Sequence, residues 1–141
     1  MINIDRQPWR EMVNHAQAAY PNECCGAMIG TIDGESKTVS HALALDNVFE
    51  GSQRARFELR GSDLLLAERE ARERKLQLLG FYHSHPDCDA YFSETDLKST
   101  PPWPYSYVVL SIKNAQFDHA NSWFNCEQTH AEKEELLWPE S

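Results

Sequence analysis

The stretch 78–96 constrains this chain more than any other. Leu78, Leu79, Phe81 and Tyr82 are apolar or aromatic and read as a buried strand, in which Gly80 lets another backbone approach closely. His83-Ser84-His85-Pro86 follows at once. Side chains alternate faces along a strand, so a strand continued through His85 projects His83 and His85 from the same face. Pro86 has no N–H to give to a ladder; it ends the strand and opens a loop over 87–92. Ser93-Glu94-Thr95-Asp96 then starts another element.

Two readings of these residues stand side by side. Two imidazoles on one rigid edge can share a cation, and the Asp96 carboxylate can return to it as a third ligand. Two His plus a carboxylate, with a fourth position left to water, is the ligand set of a hydrolytic zinc site. In the other reading the His are polar residues at a strand end. Ser93 is then a helix N-cap, reciprocated by an acidic residue three positions later.

At 141 residues the chain is expected to form a single domain, 1–141, long enough for a real core. With 41% hydrophobic and 25% charged residues it is globular rather than disordered. The net charge of −9 argues against a nucleic-acid surface. No segment approaches the ~20 apolar residues of a membrane helix, and the start has no basic region followed by an apolar run. Cys24, Cys25, Cys88 and Cys126 fit neither a disulfide framework nor paired C-x-x-C knuckles, which points to reduced thiols in the cytoplasm. Arg54, Arg56 and Arg60 precede a helix carrying Arg69, Arg72, Arg74 and Lys75. Internal i,i+4 pairing (Glu68/Arg72, Arg69/Glu73, Glu70/Arg74) makes this a solvated face; the competing reading is a docking patch for an acidic partner.

Along the chain, Pro8 suits the first turn of a helix whose stripe is Trp9, Met12, Val13, Ala16, Ala19 and Tyr20, ended by Pro21. Residues 25–32 read as a strand, Asp33-Gly34 as a tight turn and 36–45 as the return. A further strand is expected over 54–59. Gly61-Ser62-Asp63 caps a helix to about Gln77, with Leu64, Leu65, Ala67, Ala71 and Leu76 as its apolar stripe. After Asp96 a short helix should stop before Pro101-Pro102-Trp103-Pro104. Strands are expected over 107–112 and 116–125 with a turn at Asn114, and Leu136-Leu137-Trp138-Pro139 as a last strand or docked segment. The outcome is a mixed α/β fold, a twisted sheet flanked by helices. Cys88, three residues after His85, raises a thiol–imidazole nucleophile as a rival chemistry. His15, His41, His119 and His130 have no partnered spacing and read as ordinary.

The pattern His83-Ser84-His85, seven residues, Ser93, two residues, Asp96 resembles the signature of the JAMM (MPN-type) zinc metallopeptidase family. That signature also has an upstream Glu, matched here by Glu23 in Pro21-Asn22-Glu23-Cys24-Cys25-Gly26. The resemblance implies a twisted sheet between helices related to the cytidine deaminase type. It implies one Zn2+ per chain on His83, His85 and Asp96, Glu23 as general base, and Ser93 as hydrogen-bond donor to the oxyanion. The Cys ligands of a deaminase are missing, and a non-catalytic scaffold of this family usually lacks part of the metal set that is complete here.

Only about ten residues separate Asp96 from the next strand, so the insertion of polyubiquitin-cutting members is missing. The compact chain with His-Ser-His-Pro-Asp is similar to the bacterial members that process sulfur carriers. These are ubiquitin-like proteins ending in Gly-Gly, from which cysteine or a short tail is released. Tyr91 and Phe92 are the expected channel for the Gly-Gly tail, with core packing the competing view of Phe92. A deubiquitinase-like isopeptidase on another ubiquitin-like conjugate is the alternative. The sequence leaves the oligomeric state open, a homodimer included.

Overall fold

The computed structural model describes residues 1–102 and 104–139; Trp103 of the proline-rich stretch and Glu140 and Ser141 of the tail lie outside the described residues. In order, the elements are β1 (Ile2–Ile4), α1 (Arg6–Ala19), β2 (Cys25–Asp33), β3 (Ser36–Leu45), α2 (Gly61–Glu73), β4 (Gln77–Pro86), α3 (Glu94–Ser99), β5 (Ser106–Lys113), β6 (Gln116–Cys126), β7 (His130–Glu134) and β8 (Leu136–Leu137). They form one mixed sheet in the order β7-β6-β5-β4-β2-β3-β1-β8. β4 runs parallel to β5 and antiparallel to β2, while β1 runs parallel to both β3 and β8.

Strand β4 sits at the centre because its residues are apolar on both faces. One face carries Leu79 and Tyr82, packed with Met28, Val108, Leu110 and the α1 residues Trp9, Met12 and Ala16. The other carries Phe81, packed with Ala27, Tyr107, Phe57 and Ala67 of α2. Cys24 and Cys25 fall into these two opposite clusters, as adjacent extended residues must. Gly80 allows the close approach that the sequence suggested: a Cβ built there lands on the Ser106 backbone of β5.

Several boundaries differ from expectation. The β2–β3 turn is formed by Gly34 and Glu35, one residue later than Asp33-Gly34. Residues 54–59 form no strand, because Asn47 occupies their backbone instead. Its Oδ1 accepts from Glu58 N (3.1 Å) and its Nδ2 donates to Arg56 O (3.1 Å). α2 stops at Glu73 rather than Gln77: Lys75 turns left-handed (φ 58), with Leu76 N donating to Ala71 O and Lys75 N to Arg72 O. That is a Schellman closure made without glycine. Leu65, placed on the apolar stripe, is 64% exposed, since the face that meets the sheet runs through Asp63, Ala67 and Ala71. Of the three i,i+4 pairs only Glu70/Arg74 forms an ion pair among the described residues, at 3.0 Å. Strands β1 and β7 were not expected. Leu136–Leu137 does add a strand, beside β1, and Trp138 stacks on Trp9 at 4.7 Å.

Gly80→Ala should therefore destabilise the protein by about 2–3 kcal/mol, the cost of forcing extra carbon into a filled site. Chemical denaturation measures this, and an unchanged midpoint would contradict so tight a β4–β5 approach.

Candidate metal centre

The β2–β4 pairing builds the site. Cys25 opposes His83, which brings Glu23, just upstream of β2, to the end of β4. Ser84 points the other way and holds that junction: its Oγ accepts from Cys24 N (2.8 Å) while its own N donates to Cys24 O (3.2 Å). Gln53 O accepts from Glu23 N (2.7 Å) and Asn47 Nδ2 donates to Glu23 O (3.1 Å), so the backbone of Glu23 is held on both sides.

Asp96 arrives from α3, a six-residue helix capped by Ser93. Ser93 Oγ accepts from Asp96 N (3.0 Å), and Asp96 Oδ2 accepts from Ser93 N (3.1 Å), a reciprocal capping box. The N-cap reading of Ser93 is observed, and it does not exclude the other, since a hydroxyl that accepts at the cap still has its proton to donate. The same Oδ2 lies 3.0 Å from His83 Nε2 and 3.2 Å from His85 Nε2. His83, His85, Asp96 and Glu23 offer donor atoms that all lie within 4.8 Å of one another, and all four residues are buried.

The chemistry of this set fits a divalent cation. His85 Nδ1 lies 2.9 Å from the Asp89 carbonyl, which can only accept, so Nδ1 carries a proton. In a neutral ring Nε2 then presents a lone pair to a carboxylate oxygen, an arrangement that needs a proton or a cation between them. At metal–ligand distances of 2.0–2.2 Å, tetrahedral donors stand roughly 3.3 Å apart, close to the spacing found. Among the described residues, Glu23 Oε1 and His83 Nδ1 are buried with no hydrogen-bond partner.

Burial pushes the Glu23 carboxyl up to about 8; the neighbouring His85 opposes this and Asp96 adds to it. At Asp96 burial acts upward too, but His83 and His85 outweigh it and hold the carboxyl far below the usual range. At His85 burial acts downward, but the hydrogen bond to Asp96, its charge, the Asp89 carbonyl and Glu23 together outweigh it and leave the imidazole raised.

Tyr91 is half exposed, with its ring edge-on to His85 at 5.0 Å. Phe92 is half-buried and packs on Tyr107 (5.3 Å), with His83 at 6.3 Å. The thiol rival finds no support: both His85 nitrogens face Asp96 and Asp89, and Cys88 is exposed. Of the arginines, Arg54 pairs with Asp87 (3.2 Å), Arg56 lies over Phe49 and Arg60 pairs with Asp46 (3.1 Å). Sequence reasoning missed Ser84, Asn47, the Asp89 carbonyl and Phe57, whose ring lies 4.6 Å from that of His83. Only Ser84 carried a signal, its place between the two His.

The family described as prokaryotic homologs of the JAB domain matches residues 5–126. The chain belongs to that family. A desampylase from Haloferax volcanii is 33% identical over 92 residues, 64% of this chain and 63% of that protein. The match therefore spans less than two thirds of that relative's length. A solution structure of a Desulfitobacterium hafniense protein is 28% identical and superposes with a TM-score of 0.84 over 100% of this chain and 94% of the other. A JAB1/MPN-domain protein from Archaeoglobus fulgidus shares the fold at 15% identity, with a TM-score of 0.61 over 98% and 97% of the two chains.

Two outcomes follow for this JAB-family site. Ser84→Ala leaves the buried Cys24 N–H unpaired and should cost about 1–3 kcal/mol in denaturant. In metal-free protein, a Glu23 carboxyl raised from 4.5 to about 8 makes the folded state hold its proton longer than the unfolded state does. Its contribution is then fully present below about pH 4.5 and is lost as pH rises toward 8. Glu23→Gln should flatten that part of the stability–pH profile, measured by thermal unfolding with chelator present; an unchanged slope would refute the assignment.

Proposed function

We propose that this chain is a zinc-dependent metallopeptidase that hydrolyses the amide bond after the C-terminal Gly-Gly of a ubiquitin-like sulfur-carrier protein in the cytoplasm. The observation that carries the reading is the buried convergence of His83, His85 and Asp96 beside the unpartnered Glu23 Oε1. The desampylase name of the Haloferax relative supports a peptidase-type activity on a modifier protein.

His83 Nε2, His85 Nε2 and Asp96 Oδ2 would hold the ion. Bound there, zinc supplies Lewis acidity, polarising the scissile carbonyl and bringing a water near a pKa of 7. Glu23, which ionises more readily beside a cation, takes the proton of the attacking water and returns it to the departing amine. Ser93, its oxygen already accepting at the cap, turns its proton toward the carbonyl oxygen as negative charge develops. Asp89, through its carbonyl, holds the His85 ring in one tautomer.

A groove of about 480 Å³ lies beside this cluster, with Phe57, Leu59, Leu64, Phe81 and Tyr107 among its walls. Phe57, which also packs on His83, connects it to the proposed ligands. Arg56, Arg60 and Lys98 line it against one acid, Glu58, a positive balance that suits an acidic carrier even on a chain of net charge −9. Tyr91, free on one side, borders the path of a side-chain-free tail; Phe92, held against Tyr107, shapes its floor. A second reading, cleavage of an isopeptide bond to another ubiquitin-like modifier, is favoured by the name desampylase.

Intact mass of Gly-Gly carriers with different C-terminal extensions, before and after incubation, distinguishes the two. A loss back to Gly-Gly is expected. It should stop with chelator and fall at least 100-fold in Glu23→Gln, which keeps its metal. No loss with any carrier, despite one bound zinc per chain, would overturn the carrier reading, and cleavage of a branched conjugate alone would establish the second.

A further inference from the structure

A second group of metal-ligating side chains lies outside the site described above: Cys126, His130 and Glu132, whose donor atoms all fall within 4.8 Å of one another. Cys126 ends β6 and His130 opens β7, where the two are paired directly across the ladder. Glu132, two residues along β7, shares the face of His130. A thiolate, an imidazole and a carboxylate thus meet at one hairpin end. We infer that Cys126, His130 and Glu132 form a second metal site, one that takes a thiophilic divalent ion of the zinc class.

Three observations support it beyond proximity. The hairpin is fixed rather than loose. Glu127 and Gln128 both sit in the left-handed region (φ 57 and 63), and Asn125 Oδ1 accepts from Gln128 N at 2.8 Å. The side chain of Asn125, fully buried, also donates to Leu97 O (2.9 Å) and Thr100 O (3.1 Å), anchoring the turn to α3. Secondly, the His130 ring is oriented. Thr129 Oγ1 gives its proton to Cys126 O (2.7 Å), so it receives the Nδ1–H of His130 (3.0 Å). In the neutral ring Nε2 is left as a lone pair, 3.3 Å from Glu132 Oε1. This repeats the arrangement at His85, an imidazole fixed at Nδ1 with Nε2 facing a carboxylate. Thirdly, 3.3 Å is close to the edge of a tetrahedron drawn on metal–ligand distances of 2.0–2.2 Å. The Cys126 thiol makes a long approach to the Phe124 carbonyl (3.9 Å) and otherwise interacts with Glu132, the carboxylate of the same cluster. Binding replaces the S–H proton with the metal and releases that proton to solvent; water completes the coordination. Thiolate and imidazole together select zinc over magnesium or calcium.

This site stands independently of the peptidase reading, and its chemistry makes it separately visible. The cluster of Glu23, His83, His85 and Asp96 contains no sulfur, so a thiolate-to-cobalt charge-transfer band cannot arise there. Titrating Co2+ into the metal-free, reduced full chain should bring up that band with two ions bound per chain. Cys126→Ser should abolish the band and leave one ion. His130→Ala should weaken the band-forming site at least tenfold, and Cys88→Ser should change nothing. Added zinc should erase the cobalt band. A titration with no thiolate band, or a band that survives Cys126→Ser, would overturn the assignment.

Discussion

One carboxylate oxygen holds the candidate centre together. Asp96 Oδ2 receives its own helix cap from Ser93 N and faces the Nε2 atoms of His83 and His85. The first contact fixes where α3 begins, and the other two fix where α3 stands relative to β4. A helix of six residues has almost no stability of its own, because nucleation costs more than so few hydrogen bonds return. α3 is therefore held from outside, at its start by this oxygen and at its end by the amide of Asn125. Placing acceptors against acceptors in a buried space is unfavourable unless positive charge lies between them. That charge, a proton on His85 or a bound cation, is what lets the three groups sit together.

The β2–β4 pairing makes the second contribution. Glu23 and His83 are sixty residues apart in the chain yet meet because Cys25 pairs with His83 and Ser84 bonds Cys24 in both directions. The strand period then sorts the His-Ser-His run. The two His point to the α2 side, and Ser84 reaches the neighbouring backbone. A single short motif thereby supplies both candidate ligands and the bond that positions their partner.

How much of this could be read from the residues follows from the range of the interactions. The central strand, the turn of the two His to one face and the helix start at Ser93 were legible, being set by strand alternation, proline and capping, all local effects. The β2–β3 hairpin was legible to within a residue. The expected strand over 54–59 fails for a non-local reason: the Asn47 side chain takes Glu58 N and Arg56 O, beside one backbone bond from Val48 N to Glu58 O. The overrun of α2 has the same character, because Lys75 carries a positive φ that sequence assigns to glycine. β1 is three residues and β7 five, too short to show a period, and each exists through the neighbour it pairs with. The meeting of Glu23 with the two His was visible only through a family resemblance, since no spacing rule reaches across sixty residues.

The two outermost strands have a consequence for how a partner can approach. β8 has two residues, and β7 reads His-Ala-Glu-Lys-Glu, so one border of the sheet is too short to template a new strand and the other is guarded by charge. The cover is partial, however: among the described residues β1 pairs with β3 only over 37–39, so 40–45 of β3 keeps an outer side without a strand partner. An extended chain arriving from solvent is offered backbone there rather than at the two ends of the sheet.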